Sequence, residues 1–497
     1  MISIDRSSPI PLANQIEARL RAQIGNRVLP GGARLMSIRQ LATQLAVSPN
    51  TVVLAYDRLV AAGVIDSQGT AGFFVCQSKD SERSAPDEIA LEAGEEQEPV
   101  WLAQQANDQR AGVLLASSGA LPPTWLQDAV PAAAVQRALA NSAAGMASRC
   151  PPQGMAQLRE HIALLLRGMG IAADASHVLT TYGSTHAIDL ICRSFLQAGD
   201  TVLVEDPGYF LMFGKLRQDG LRIIPITRHP DGLDLAQLDA ACREHRPRLL
   251  FLQTALHNPT GWSSSAANLH KVLVLAQQYG FLIAEDDVHG HFYAGHTPRL
   301  AALSGLDRVI YYSSFCKAVS PALRMGYIAA APDLLKVLMR SKIYSIMTTP
   351  ALNELVLLEV LKAGTLRKHL ERLQRKIMTA RNASIRQLRE AGLQFEHVGE
   401  GGIFLWGSIP DEVDIDLLVQ DAWRNKIILM RGAVFSANNV PNQHIRFNVA
   451  FCQQPGLSKF LSQYISKYLS EYQREPLKTS TTKTTSGDVY YLNSNKK

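Results

Sequence analysis

At 497 residues, with 46% apolar and 19% charged residues and a formal charge of +6, the chain is too long for one ordinary core and too apolar for a disordered one. No run of eighteen apolar residues occurs, and Met1-Ile2-Ser3-Ile4-Asp5-Arg6 lacks the basic-then-apolar layout of a signal peptide. The expectation is a cytoplasmic protein of about two to four domains with no membrane partner. Six scattered cysteines, without a CxxC pair or a Cys/His cluster, argue against a disulfide framework and against a metal site.

Between Pro11 and Val28 the residues Leu12, Ile16, Leu20 and Ile24 recur at helical spacing, and Leu29-Pro30-Gly31-Gly32 breaks the run. A second helix follows Ser37, with Ile38, Leu41, Ala42 and Leu45. Ser48 is placed to cap a third, with Pro49 at its first position and Thr51, Val52, Val53, Tyr56, Leu59 and Val60 along it, up to Gly63. Val64-Ile65-Asp66-Ser67 and Phe73-Phe74-Val75 flank Gln68-Gly69-Thr70-Ala71-Gly72, which predicts a β-hairpin. Three short helices and a hairpin make a winged helix-turn-helix, whose third helix lies in the major groove of DNA. Residues 1–75 hold seven arginines and no lysine against four acids, a balance of +3. A helical bundle docking a protein partner is the alternative, and it leaves the hairpin and the caps unexplained.

The stretch from Pro11 to Val75 resembles the GntR-type winged-helix domain in spacing and residue type. The resemblance implies double-stranded DNA as partner. Arg34 and Arg39 would be phosphate or groove contacts, and Ser48, Asn50 and Thr51 would enter the groove, with Tyr56 of the same helix also counted as DNA-binding. Met36 and Ile38 stand where the family usually has Pro and Ser, Pro49 often replaces an Arg, and Gln68 replaces a wing Arg. Losing two cations weakens salt-dependent affinity, so the operator is expected to need both half-sites of a dimer.

Residues 77–112 turn acidic and polar, with Glu92, Glu95, Glu96 and Glu98 close together, and read as a flexible linker in which Val100-Trp101-Leu102 docks as a short helix. Beyond it, apolar strands alternate with helical stretches: Val178–Thr181, Thr201–Val204, Arg222–Pro225, Leu249–Leu252, Phe281–Ala284 and Val309–Tyr312. That pattern predicts an α/β domain with a mostly parallel sheet covered by helices on both faces. No GxGxxG follows the first strand, so a dinucleotide is not expected.

The strand ends carry the chemistry. Gly183-Ser184-Thr185 opens a helix and offers free N–H groups and hydroxyls to a phosphate. Asn258-Pro259-Thr260-Gly261 follows another strand, Glu285-Asp286-Asp287 ends the next, and Ser314-Phe315-Cys316-Lys317 closes the series, with Arg324 able to clamp a phosphate. A lysine, a strand-end carboxylate, an amide and a phosphate cradle are the parts that hold pyridoxal 5'-phosphate.

This region resembles the fold-type I aminotransferases. The resemblance implies Lys317 as the catalytic Schiff-base lysine, Asp286 against the pyridine nitrogen and Asn258 at the ring oxygen. Gly183, Ser184, Thr185, Ser314 and Arg324 would hold the phosphate, Tyr209 would lie near the ring, and Arg446 would take the carboxylate of an effector. Where the family places a tyrosine after the aspartate the chain reads Val288-His289, and only the His289 imidazole is there to substitute. Arg149 stands where a tyrosine often reaches the partner subunit's phosphate. His186, His257 and His291, also near this site, read as core or loop histidines rather than catalytic ones.

The expected layout is multidomain: an N-terminal α+β winged helix-turn-helix (1–76), the linker (77–112), an α/β fold-type I domain (113–470) with a smaller α+β C-terminal subdomain from about 350, and a disordered polar tail (471–497). Together the two resemblances point to the MocR group of bacterial transcription regulators. They imply a homodimer, each winged helix packed on the other protomer, that senses an amine, an amino acid or a vitamin B6 form. An active aminotransferase with an accessory DNA-binding domain is the alternative.

Overall fold

The computed structural model describes residues 4–6, 11–25, 29–69, 72–76, 112–140, 149–293, 295 and 297–474. The chain divides into two compact units whose boundary falls between residues 77 and 111. The expected linker up to residue 111 and the tail from 475 therefore lie outside the described residues.

In the first unit, α1 (Leu12–Gly25), α2 (Ile38–Leu45) and α3 (Pro49–Ala61) precede a hairpin of β1 (Ile65–Ser67) and β2 (Phe73–Val75). Both expected caps form: the Ser37 hydroxyl accepts the Gln40 N–H, and the Ser48 hydroxyl accepts the Thr51 N–H at 3.2 Å. Each satisfies a donor that a helix start leaves open. Gly63 follows α3 at φ +65°, a left-handed conformation that favours glycine. Antiparallel pairing sets Ile65 opposite Val75 and Ser67 opposite Phe73.

Tyr56 corrects the sequence reading. The buried stripe of α3 runs through Val52, Ala55, Tyr56 and Leu59, the three-and-four spacing of a core-facing helix. The Tyr56 ring packs edge-on against Phe73 at 4.8 Å and its hydroxyl donates to the Met36 carbonyl at 2.8 Å. It is a core residue that no DNA can reach. Arg34, Arg39, Ser48 and Asn50 are exposed and Thr51 is half-buried. Tyr56→Phe is expected to leave DNA affinity unchanged while costing the domain about 1 kcal/mol in denaturant unfolding. Asn50→Ala is expected to do the opposite, weakening a mobility shift at unchanged stability.

The second unit is built on an eight-stranded sheet in the order β3 (Val178–Thr181), β10 (Gly326–Ala329), β9 (Val309–Ser314), β8 (Leu282–Asp286), β7 (Leu249–Leu252), β4 (Thr201–Asp206), β5 (Arg222–His229), β6 (Gly232–Leu233). The six strands read from the sequence are all present. Val178, Leu203, Leu250, Ile283 and Val309 enter one core, while their neighbours Leu179, Val202, Leu249, Ala284 and Ile310 enter another on the opposite face. Burial on both faces is why these strands read as unbroken apolar runs. Pairing through β4, β5, β7, β8 and β9 is parallel. Two strands were not anticipated: the two-residue β6 at the edge, and β10, which runs antiparallel between β3 and β9.

A smaller sheet orders β11 (Phe404–Ser408), β13 (His444–Asn448) and β12 (Met430–Arg431). The apolar run before β12 pairs with the start of the unit instead: Leu114 N–H donates to Lys426 O, Ile428 N–H to Leu114 O and Ser117 N–H to Ile428 O. The final helix, Pro455–Arg474, runs past residue 470. Among the described residues no helix is long and apolar enough to cross a membrane.

Candidate functional site

Parallel strands expose their C-terminal ends along one edge of a sheet, and loops there are free to converge on a ligand. Lys317 follows β9, Asp286 ends β8, Asn258 follows β7, Tyr209 follows β4, and Gly183-Ser184-Thr185 follow β3. Because β10 is antiparallel, its N-terminal end, preceded by Arg324, meets the same edge. These side chains surround a cavity of about 400 Å³, lined by every expected residue of this domain except Gly183, which stands directly behind Arg324.

Gly183 has φ +76°, and a Cβ there would fall 2.9 Å from Arg324 Nη2 and 3.6 Å from Cys316 Sγ. Only glycine leaves the guanidinium its place. Ser184 and Thr185 open the helix Gly183–Phe195, which has no side-chain cap, so its first N–H groups stay available to an anion. The Ser314 hydroxyl borders the cavity but is committed within its own turn: it donates to Met325 O and accepts the Cys316 N–H.

The three adjacent carboxylates have separate fates. Glu285 accepts from Thr254 and from the N–H groups of Leu300 and Ala301. Asp287 is tied to Arg299 and to the Tyr311 hydroxyl, both at 2.6 Å. Asp286 alone lines the cavity, accepting from Val288 N–H at 2.9 Å and from the Tyr312 hydroxyl at 3.2 Å. Burial pushes its carboxyl up to about 7, against the pull of those hydrogen bonds. The sequence reading found no phenol near this aspartate. One arrives from the neighbouring strand, where Tyr312 is the register partner of Asp286.

Two cations are held by neutral groups. Lys317 Nζ donates to Gly119 O at 2.7 Å, and burial, helped by the charge of Arg446, pulls its amine down to about 8. Arg446 donates to Asn258 Oδ1 at 2.7 Å and to Ser117 O at 2.5 Å, sandwiched between Phe404 and Phe435 at 4.7 Å each. Burial lowers it to about 9. With Asn258 Oδ1 occupied, its NH₂ is left to face a ligand oxygen.

Gln253, missed in the sequence, settles the state of His289. The Asn258 backbone N–H can only donate, and it donates to Gln253 Oε1 at 2.7 Å. The NH₂ of Gln253 therefore meets His289 Nδ1 at 2.9 Å, which places the imidazole proton on Nε2. Burial holds His289 well below its ordinary pKa, hence neutral. Its Nε2–H has no partner among the described residues.

The other three histidines near the site do not line the cavity. His186 accepts the Tyr182 N–H, His257 is bonded to Thr260, and His291 stacks on Phe315. Arg149 is exposed, its guanidinium against Met347 Sδ, and does not line the cavity. Besides Gln253, sequence reasoning missed Ser118, Gly119 and Ala120 in the cavity wall. Nothing local in the sequence tied any of the three to Lys317.

This donor set fits pyridoxal phosphate: an amine of lowered pKa, a buried carboxylate for the ring nitrogen, a cradle that admits only glycine, and an unpartnered imidazole N–H. Fold and site together define a pyridoxal-phosphate domain of fold type I, on a chain that also carries a winged helix. The profile of class I and II aminotransferases matches residues 113–463, and that of the gntR family of bacterial regulatory proteins matches residues 12–75. The chain belongs to the class I and II aminotransferases, whose cofactor is pyridoxal 5'-phosphate, and carries a GntR-type DNA-binding domain ahead of that domain, the layout of a MocR-type fusion. Its relatives divide the same way. It is 27% identical to the HTH-type transcriptional regulator YdcR of Escherichia coli, over 88% of this chain and 94% of that one. It is 29% identical to the 2-aminoadipate transaminase of Thermus thermophilus, over 71% of this chain and 89% of that one. The crystal structure of LysN, the α-aminoadipate aminotransferase of Thermus thermophilus complexed with N-(5'-phosphopyridoxyl)-L-leucine, superposes with a TM-score of 0.66. It is 26% identical and covers 74% of this chain and 95% of that one.

The neighbouring aspartates are expected to separate on mutation. Asp286→Ala should weaken pyridoxal phosphate binding at least tenfold in an absorbance titration, with little change in melting temperature. Asp287→Ala should leave Arg299 buried and unpaired, costing roughly 3–5 kcal/mol of stability. Because the Lys317 amine is lowered to about 8, its neutral form is already abundant near that pH. Stopped-flow uptake of pyridoxal phosphate should accelerate with pH and level off just above 8, well short of the ordinary lysine value.

Proposed function

We propose that the chain is a DNA-binding transcription regulator in which pyridoxal phosphate, held at Lys317, makes the large domain a receptor for an amine, an amino acid or the B6 vitamer itself. The observation that carries this is the convergence of Lys317, Asp286 and Arg446 on one cavity in a chain that begins with a GntR-type winged helix. When bound, the cofactor supplies an aldehyde that captures primary amines reversibly. The protein's own groups do the rest. Lys317 offers its amine near neutral pH, Asp286 holds the ring nitrogen, and Arg324 with the helix start at Gly183 holds the phosphate. Asn258 and the Nε2–H of His289 would hold the ring oxygen. Arg446 takes a carboxylate, and Tyr209 closes one side of the cavity.

A homodimer with exchanged winged helices completes the proposal. It is supported by an exposed apolar patch at the end of the helix Pro332–Ser345, where Tyr344 is 82% exposed beside Ile343, Ile346 and Met347. The alternative, a working aminotransferase, is favoured by the completeness of the Lys317, Asp286 and Arg446 set. Purified protein loaded with pyridoxal phosphate and given amino acids and a keto acid is expected to show slow half-reactions at most. Its mobility shift on the DNA upstream of its own gene should respond to an amine and vanish in a chain lacking residues 1–76. Sustained multi-turnover transamination, with DNA binding indifferent to every amine, would reverse the assignment.

A further inference from the structure

Ser118, Gly119 and Ala120 form one wall of the ligand cavity, with Ser117 just before them, and the segment lies close to the start of the large domain, which opens at residue 113. Its four carbonyls are all held by side chains. Gly119 O accepts from Lys317 Nζ at 2.7 Å, and Ser117 O accepts from Arg446 at 2.5 Å. Ser118 O and Ala120 O both accept from the Asn448 NH₂ at 2.8 Å. The Ser117 hydroxyl bonds Arg446 O and takes the Met430 N–H. Upstream, Leu114 and Ser117 pair with Lys426 and Ile428, and Ala116 O accepts the Asn448 N–H.

Two of these four holds use the groups that ligands need. Condensation of the Lys317 amine with an aldehyde releases one water and leaves at most one N–H on the nitrogen, so the bond to Gly119 O has to be given up or shared. A carboxylate arriving at Arg446 competes with Ser117 O for the same guanidinium. The remaining two holds belong to Asn448, which is fully buried and does not line the cavity. Its Oδ1 accepts the Ala450 N–H, fixing the amide so that both of its hydrogens face the segment.

We propose that residues 117–120 are the coupling element of the regulator: ligand capture at Lys317 and Arg446 loosens this segment, and Asn448 is the positioning residue that sets how firmly it is held. Through residues 113–116 the segment joins the stretch that leads to the winged helix, and this covalent path is the route of the proposed coupling. This inference rests on the receptor reading above and names the part that reports occupancy.

Hydrogen exchange on the full-length protein, with pyridoxal phosphate as the probe, tests it directly. The peptide spanning residues 113–121 is expected to exchange at least threefold faster when the cofactor is added, while peptides of the β4 and β7 core stay unchanged. Unaltered or slower exchange in 113–121 overturns the proposal and leaves the receptor reading standing. Absent cofactor binding by absorbance overturns both. Asn448→Ala supplies the second arm. It is expected to bind pyridoxal phosphate within twofold of the wild-type affinity, and to exchange rapidly over 113–121 with or without it. Its mobility shift on a DNA fragment selected by the full-length protein should no longer respond to the cofactor. Should Asn448→Ala keep the full response, the coupling runs elsewhere; should it misfold, the wild-type exchange measurement still decides.

Discussion

Two cations buried against neutral oxygens are the constraint around which the large domain is arranged. Taking a cation out of water costs several kcal/mol even in a relaxed protein interior, and the cost is normally met by a carboxylate. Arg299 and Arg228 follow that rule, meeting Asp287 and Glu205 at 2.6 Å each, whereas Arg381, away from the cavity, is held by the carbonyls of Gly399 and Phe404. At Lys317 and Arg446 the acceptors are instead two backbone carbonyls and an amide, with aromatic faces beside the guanidinium. The uncompensated charge is what gives an incoming carboxylate or aldehyde its advantage over water, and it is the reason the Lys317 amine is neutral enough to react. The glycines, the Gln253 relay and the Asn448 clamp all serve to keep these two groups in place without pairing them.

What was legible in the sequence is what depends on short-range pattern. Six strands were read because a sheet buried on both faces needs unbroken apolar runs, and Ser37, Ser48 and Gly63 marked helix ends because capping is local. The lysine, the aspartate and the arginines were visible as strand-end residues of a known constellation. What escaped is tertiary. Gly326-Tyr327-Ile328-Ala329 is as apolar as its neighbours, yet nothing in it says that it runs backwards between β3 and β9. That reversal is what puts Arg324 against Gly183. Tyr56 was misassigned for a related reason: a tyrosine on a recognition helix reads as polar until its place on the Val52 to Leu59 stripe is weighed.

The stretch Ile427–Met430 shows the same limit from another side. Its apolar run is real, but its hydrogen bonds go to residues 114–117, over three hundred positions earlier. No window of sequence contains both partners. The consequence is functional as well as architectural, since that pairing draws the start of the domain across the cavity and lets Lys317 and Arg446 close on its carbonyls.

A receptor differs from an enzyme in what its ligand must displace. A ligand shifts a conformational equilibrium only by its differential affinity for the two states, however tightly it binds. A cavity whose key groups pointed into water would capture pyridoxal phosphate and an amino acid without changing anything beyond itself. Here the two groups are already engaged with residues 117–120, so a ligand that occupies them replaces two of the four hydrogen bonds on that segment's carbonyls. Hydrogen bonds to charged donors contribute about 1.5–3 kcal/mol each. Exchanging even one of them for a ligand contact gives a bias on the order of tenfold or more between held and released states, which is within the range of measured allosteric couplings.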